Sequence, residues 1–306
     1  MKVAFLYSGQ GSQLVGMGQS FYENNEDSRT FLDSVALDFD LKKLMFEGPL
    51  ETLSETEFTQ PCLVAYHVMV TRLLEQAGVK AEYTCGLSLG EYSALYYAGV
   101  FDALTVLDLT RFRGVAMTNA AKGIESKMVA CLTPDVELIN EIIAQVDAGY
   151  LAISNYNCPG QYVVAGEVKA IDQFKELAEG KIKRLIELNT SGPFHTSLLE
   201  KASLDLQGKF ETVAFNENNI PVIMNTTGEP LVFGEVKDLL ARQVKEPVQF
   251  EKTLNYLVSQ GVDTFIEIGP NKTLSNFVKK VDRKLNTYSI VDQESLEKVI
   301  ELWQTK

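Results

Sequence analysis

Histidine is scarce in this chain of 306 residues: His67 and His195 are the whole supply, so any imidazole chemistry has two candidates. The four cysteines, Cys62, Cys85, Cys131 and Cys158, lie far apart with no CxxC pair. That argues against a metal site or a disulfide framework, and for reduced, buried thiols. Basic charge is also in deficit. The formal net charge of −13 argues against nucleic acid, whose binding rests on Lys and Arg neutralising phosphates. No apolar run is long enough to span a bilayer. The N-terminus lacks the basic start, apolar stretch and small-residue cleavage site of a signal peptide. No membrane partner is therefore expected, and the expected compartment is the cytoplasm. Internal repeats, low-complexity tracts and proline-rich linkers are missing too.

What remains is an ordinary globular composition, 45% hydrophobic and 23% charged. The first 120 residues alternate strand-like and helical patterns, which predicts an α/β layered domain. The segment TQPCLVAYHVMVTRLLEQAG reads as a long buried helix, with Pro61 near its start and Gly78 just past its end. The middle predicts strand SKMVACL, helix TPDVELINEIIAQV, strands LAISNYN and QYVVAGE joined at Cys158-Pro159-Gly160, helix VKAIDQFKELAEG and strand IKRLIEL. This β-α-β-β-α-β order is the ferredoxin-like arrangement. It predicts a subdomain at 125–190 inserted in a larger α/β domain formed by 1–124 and 191–306. A strand-turn-helix follows at DTFIEIGPNKTLSNFVKK, and the tail SLEKVIELW reads as a surface helix.

The chain opens MKVAFLYSGQGSQLVGMG, a strand running into a glycine-rich turn. A dinucleotide fingerprint needs a third glycine where Leu14 stands, and a P-loop needs lysine where Met17 stands. Both phosphate readings fail. The glycines still imply a tight turn whose backbone approaches something closely. Gly86-Leu87-Ser88-Leu89-Gly90 matches G-x-S-x-G, between a short strand (Tyr83 to Cys85) and the helical LGEYSALYYAG. That is the context of a nucleophile elbow, although the motif alone also fits an ordinary glycine-flanked serine. A serine nucleophile needs a base. His67 sits in an apolar helical pattern and reads as core, whereas His195 lies in NTSGPFHTSLL at a loop-to-helix junction, where catalytic groups often sit. No acid to orient the histidine can be picked out. In DALTVLDLTRFRGVAM, Arg111 has Asp108 three residues earlier as a helical partner. Arg113 continues an apolar row with no local acid and needs another anion, a distant Asp or Glu or a substrate carboxylate.

Together GQGSQ at 9–13, GLSLGEYSAL at 86–95, Arg113, GPFH at 192–195, PVQF at 247–250 and EIGP at 267–270 resemble the malonyl-CoA:acyl carrier protein transacylases, the loading enzymes of fatty-acid synthesis. The resemblance covers essentially the whole chain. It implies a hydrolase-like α/β domain with a ferredoxin-like insertion and a ping-pong [acyl-carrier-protein] S-malonyltransferase. Ser88 would take the malonyl group from malonyl-CoA and pass it to the phosphopantetheine thiol of acyl carrier protein, with His195 as base. Backbone N–H groups of Gln10 and Leu89 would form the oxyanion hole. A main-chain carbonyl near Gln249 would orient His195, and Arg113 would bind the malonyl carboxylate. No cofactor and no metal are implied. Many relatives carry histidine where this chain has Leu87, and Phe194 resembles the malonyl-selective version of its motif. Carrier proteins are typically acidic, so the basic clusters Lys279, Lys280, Arg283, Lys284 and Lys181, Lys183, Arg184 are candidate contacts. The competing readings are a serine thioesterase or other hydrolase, the acyl-loading transferase of a polyketide pathway, and a catalytically silent carrier-binding module.

Overall fold

A computed structural model describes residues 1–305. Its strands are β1 (Val3–Tyr7), β2 (Tyr83–Gly86), β3 (Ser126–Leu132), β4 (Leu151–Cys158), β5 (Gln161–Glu167), β6 (Arg184–Leu188), β7 (Val222–Ile223), β8 (Thr264–Ile268) and β9 (Asn286–Ile290). They form two sheets. The larger has the order β7-β2-β1-β8-β9 and is parallel throughout. The smaller has the order β4-β5-β3-β6 and is antiparallel.

Every residue of β1 and β8 is buried. Their sequences VAFLY and TFIEI lack polar alternation, as a parallel strand covered on both faces should. The long helix expected over 59–78 runs Thr56–Gln76. Pro61 lies inside it, and proline removes the N–H that would bond to the carbonyl four residues back. That carbonyl, Glu57 O, instead accepts from Arg111 Nη1 at 2.9 Å. Arg111 therefore does not pair with Asp108 as its helical spacing predicts. Its fork grips Asp38 at 2.9 and 2.7 Å and reaches the Glu57 carboxylate at 3.0 Å, while Asp108 pairs with Lys209. Tertiary geometry offers Arg111 two acids and an orphan carbonyl at once, which outweighs one exposed helical pair.

The small sheet has the ferredoxin-like β-α-β-β-α-β order, with helices Val136–Ile143 and Val168–Ala178. Side chains alternate across it. Val129, Cys131 and Val164 pack with these helices, whereas Met128, Ala130, Val163 and Ala165 join the core of the large sheet. Backbone bonds also stitch the small sheet to the segment just before helix Phe250–Ser259. Val248 N–H donates to Ser154 O at 2.9 Å, and Tyr156 N–H donates to Val248 O at 2.8 Å. Among the described residues no helix is long and apolar enough to cross a membrane.

Candidate active site

Tyr7 and Gly86 end neighbouring parallel strands and lie side by side. The GQGSQ loop and the GLSLG loop therefore leave from adjacent carboxyl ends, where open α/β sheets gather their ligands. The close approach inferred from the glycines is real. A Cβ on Gly9 would stand 2.7 Å from Leu87 O, and one on Gly90 would stand 2.1 Å from Tyr7 O. Only glycine lets the first loop lie against the elbow and the following helix, Gly90–Tyr97, lie against β1.

Ser88 and His195 are the two non-glycine residues with positive φ among the described residues, at 52° and 61°. Such backbone costs on the order of 1–3 kcal/mol and persists where the surroundings over-determine it. The two side chains meet, with Ser88 Oγ 2.7 Å from His195 Nε2. His195 Nδ1 lies 2.7 Å from the main-chain oxygen of Gln243. A carbonyl only accepts, so Nδ1 carries the proton and Nε2 is free to accept from the serine hydroxyl. Burial and then the Arg113 charge push the His195 pKa down to about 4, against the pull of the Gln243 carbonyl. The imidazole is thus neutral at neutral pH and ready to act as a base.

The orienting carbonyl belongs to Gln243 and not to Gln249. Gln249 O is engaged elsewhere, accepting from Thr253 N–H at 3.0 Å at the start of helix Phe250–Ser259. Its N–H donates to Asn225 O at 2.7 Å. A residue's carbonyl leaves no side-chain signature, so the sequence resolves only the neighbourhood.

Arg113 is 1% exposed and stands against Ser88. Its Nη2 donates to Ser88 Oγ at 3.1 Å and to Gln243 Oε1 at 2.9 Å, both neutral acceptors, while its Nε has no partner. Burial lowers its pKa, with Tyr92 and Glu91 opposing. A buried guanidinium that reaches only neutral oxygens is poised for an anion. Around it is a cavity of about 170 Å³, walled by Gln10, Leu87 and Phe194 on one side and by Met128, Asn157 and Val163 of the small sheet on the other. That is well below the roughly 300–1,000 Å³ of sites that enclose a drug-sized ligand. It suits a short acyl group whose carrier stays outside. Neither Gln10 N–H nor Leu89 N–H has a protein acceptor among the described residues.

The model of the acyl transferase domain matches residues 4–304. The chain belongs to the acyl transferase domain family. A curated relative, the malonyl CoA-acyl carrier protein transacylase of Bacillus subtilis (strain 168), is 37% identical over 98% of this chain and 96% of its own length. The crystal structure of malonyl CoA-acyl carrier protein transacylase from Clostridium perfringens ATCC 13124 has a TM-score of 0.94 at 39% identity, covering 100% of this chain and 98% of that one. A malonyl-transacylase solved in complex with its type II polyketide synthase acyl-carrier protein has a TM-score of 0.94 at 31% identity, covering 99% and 100%. The hydrolase-like parallel sheet with its ferredoxin-like companion is thus the fold of these acyl transferases.

His67 is the other half of the histidine question, and in this acyl transferase domain it is core, with no exposed surface. Three residues went unread in the sequence: Gln243, Asn225 and Glu91. Glu91 carried a signal, a carboxylate amid the apolar helix GEYSALYY. Gln243 and Asn225 lie 155 and 137 residues from Ser88, to which both bond, and nothing local marks them.

Proposed function

We propose that this protein moves a malonyl group from malonyl-CoA to the phosphopantetheine thiol of an acyl carrier protein through an ester on Ser88. The observation that carries the reading is Arg113, buried and without an acidic hydrogen-bond partner, with Nη2 3.1 Å from the nucleophile. Ser88 Oγ attacks the thioester carbonyl while its proton passes to His195 Nε2. The carbon–sulfur bond then breaks, and Nε2 returns the proton to the departing coenzyme A thiolate. In the second half Nε2 takes the proton of the carrier thiol, whose sulfur attacks the ester, and Ser88 leaves with that proton. Backbone N–H groups of Gln10 and Leu89 face the developing oxyanion, where each preorganised donor contributes about 3–4 kcal/mol. Arg113 grips the free carboxylate in a two-bond fork. No cofactor is required for these steps. The cytoplasm is the expected compartment, in keeping with four free, buried cysteines.

Lys280, Arg283 and Lys284 are exposed on one segment, while Lys279 folds back on the carbonyls of Arg283 and Leu285. These three charges are our candidate contact for an acidic carrier. The solved complex with a polyketide carrier favours a second reading of the carrier's pathway, and kcat/KM with fatty-acid and polyketide carriers decides between them. The reading as a whole is tested by incubation with malonyl-CoA followed by intact-protein mass spectrometry. A malonyl adduct that maps to Ser88 is expected. Hydrolysis without transfer to a carrier thiol would sink it.

A further inference from the structure

The elbow that carries Ser88 is held by groups that touch no reacting atom. Asn225, fully buried just after β7, spans the turn with one carboxamide. Its Oδ1 accepts from Ser88 N–H at 2.6 Å and its Nδ2 donates to Gly86 O at 2.7 Å. The main chain of Asn225 is fixed on both sides. Its N–H donates to Glu91 Oε2, and its carbonyl accepts from Gln249 N–H. The other oxygen of Glu91 accepts from Gln243 Nε2 at 2.8 Å, and the same nitrogen donates to Ser88 O at 3.0 Å. The backbone of Ser88 is thus gripped at its N–H by Asn225 and at its carbonyl by Gln243, and Glu91 ties the two grips together.

Glu91 has no exposed surface, and burial pushes its carboxyl up to about 8 against the pull of these donors and of Arg113. A buried carboxyl bonded to neutral groups is costly to keep, and the transfer chemistry makes no use of it. Its position explains its presence. A serine at φ 52° relaxes unless its backbone is over-determined.

We propose that Asn225 and Glu91 are positioning residues that hold Ser88 in its reactive backbone geometry, Asn225 by bracketing the turn and Glu91 by fixing Asn225 and Gln243. The proposal rests on Ser88 being the nucleophile, and its test is separable from the identity of the acyl group. The variants are Asn225→Ala, Asn225→Asp and Glu91→Gln. Each is assayed for phosphonylation of Ser88 by a small fluorophosphonate, single-turnover malonylation from malonyl-CoA, and malonyl-CoA affinity in a Ser88→Ala background.

Asn225→Ala is expected to slow both reactions at Ser88 by about 10–100-fold, the worth of two hydrogen bonds, and to leave affinity unchanged. Asn225→Asp keeps an acceptor for Ser88 N–H but sets a carboxylate oxygen, buried and unpaired, against Gly86 O, so its rates fall at least as far as those of Asn225→Ala. Glu91→Gln offers one acceptor where two N–H groups point, whatever the ionisation of the native carboxyl. It is expected to slow both reactions by about tenfold. Wild-type rates in a folded Asn225→Ala protein overturn the proposal, as does a loss of affinity that matches the loss of rate. If Asn225→Ala does not fold, the other two variants are judged by the same comparison. A wild-type protein that is phosphonylated at Ser88 but never malonylated removes the substrate reading and still leaves the phosphonylation rates to judge the clamp.

Discussion

His67 and His195 share more than a residue type. Both are buried, both have a serine hydroxyl within hydrogen-bond distance, and burial is the main force pushing each pKa down, to about 3 and about 4. Their proton arrangements are opposite. Around His67, Ser12 Oγ donates to Gly9 O at 2.8 Å, so Ser8 must donate to Ser12 and His67 Nε2–H must donate to Ser8. His67 Nδ1 then accepts from Ser93 at 2.8 Å. A serine donating to a neutral imidazole thus occurs twice in this protein. Ser93 sits in a helix with no exposed surface, whereas Ser88 sits on a strained turn facing a cleft, next to a cation. The hydrogen bond is therefore the lesser part of a nucleophile. Access, backbone geometry and a partner for the substrate's charge make the difference, and His67 serves instead to tie the GQGSQ loop to the core.

The comparison breaks most sharply at Ser88. Ser88→Ala should abolish the malonyl adduct and the transfer, and Ser93→Ala should spare both, as read by intact mass. His195→Ala should slow acylation by about 10²–10⁴-fold, the usual loss of a general base, measured in a single turnover. Next comes Arg113→Ala, expected to lower the ratio of kcat/KM for malonyl-CoA over acetyl-CoA by about two to four powers of ten, since two charge-assisted bonds contribute roughly 1.5–3 kcal/mol each. Arg113→Lys should restore part of that ratio because a point charge lacks the planar fork. Arg111→Ala should leave the ratio intact and cost stability, through Asp38, Glu57 and the carbonyl orphaned by Pro61.

The smallest effect on catalysis belongs to His67→Gln, which should retain acylation while losing about 1–3 kcal/mol of stability from its broken network. Its sharper signature is in pH. An unfolded histidine takes up a proton near pH 6.5, whereas folded His67 resists until about 3. The unfolded state therefore binds more protons throughout that window, and stability falls as pH falls from about 6.5 toward 3. Removing His67 should reduce this slope by up to about 1.4 kcal/mol per pH unit, read from urea unfolding across the acid range. An unchanged slope would mean that His67 is not held neutral.

Much of this was legible in the sequence. The parallel core announces itself as unbroken apolar runs, the small sheet as the β-α-β-β-α-β order, and the elbow as glycines flanking a serine between strand and helix. Ser88 stands out by its G-x-S-x-G match, His195 by its loop-to-helix junction, and Arg113 by breaking an apolar row. What stayed hidden acts through backbone or across long separations. The carbonyl that orients His195 is a main-chain atom, so Gln249 was six residues away from Gln243. Asn225 reads as one more polar residue in a turn until the elbow is folded against it. Arg111 shows the same limit, because helical spacing sees Asp108 but not Asp38.

The stitch at Val248 has a further consequence. β4 is an edge strand, and a free edge is a template on which other chains can add strands and aggregate. Val248 occupies the middle of that edge with both its N–H and its carbonyl. The opposite edge, β6, exposes Arg184 and Glu187, charges that an added strand would have to cover. The small sheet is thus closed to recruitment at one border by the protein's own backbone and discouraged at the other by charge. A change that pulls the PVQF segment away would bare an open border as well as disturb the site, and precipitation would be its first symptom.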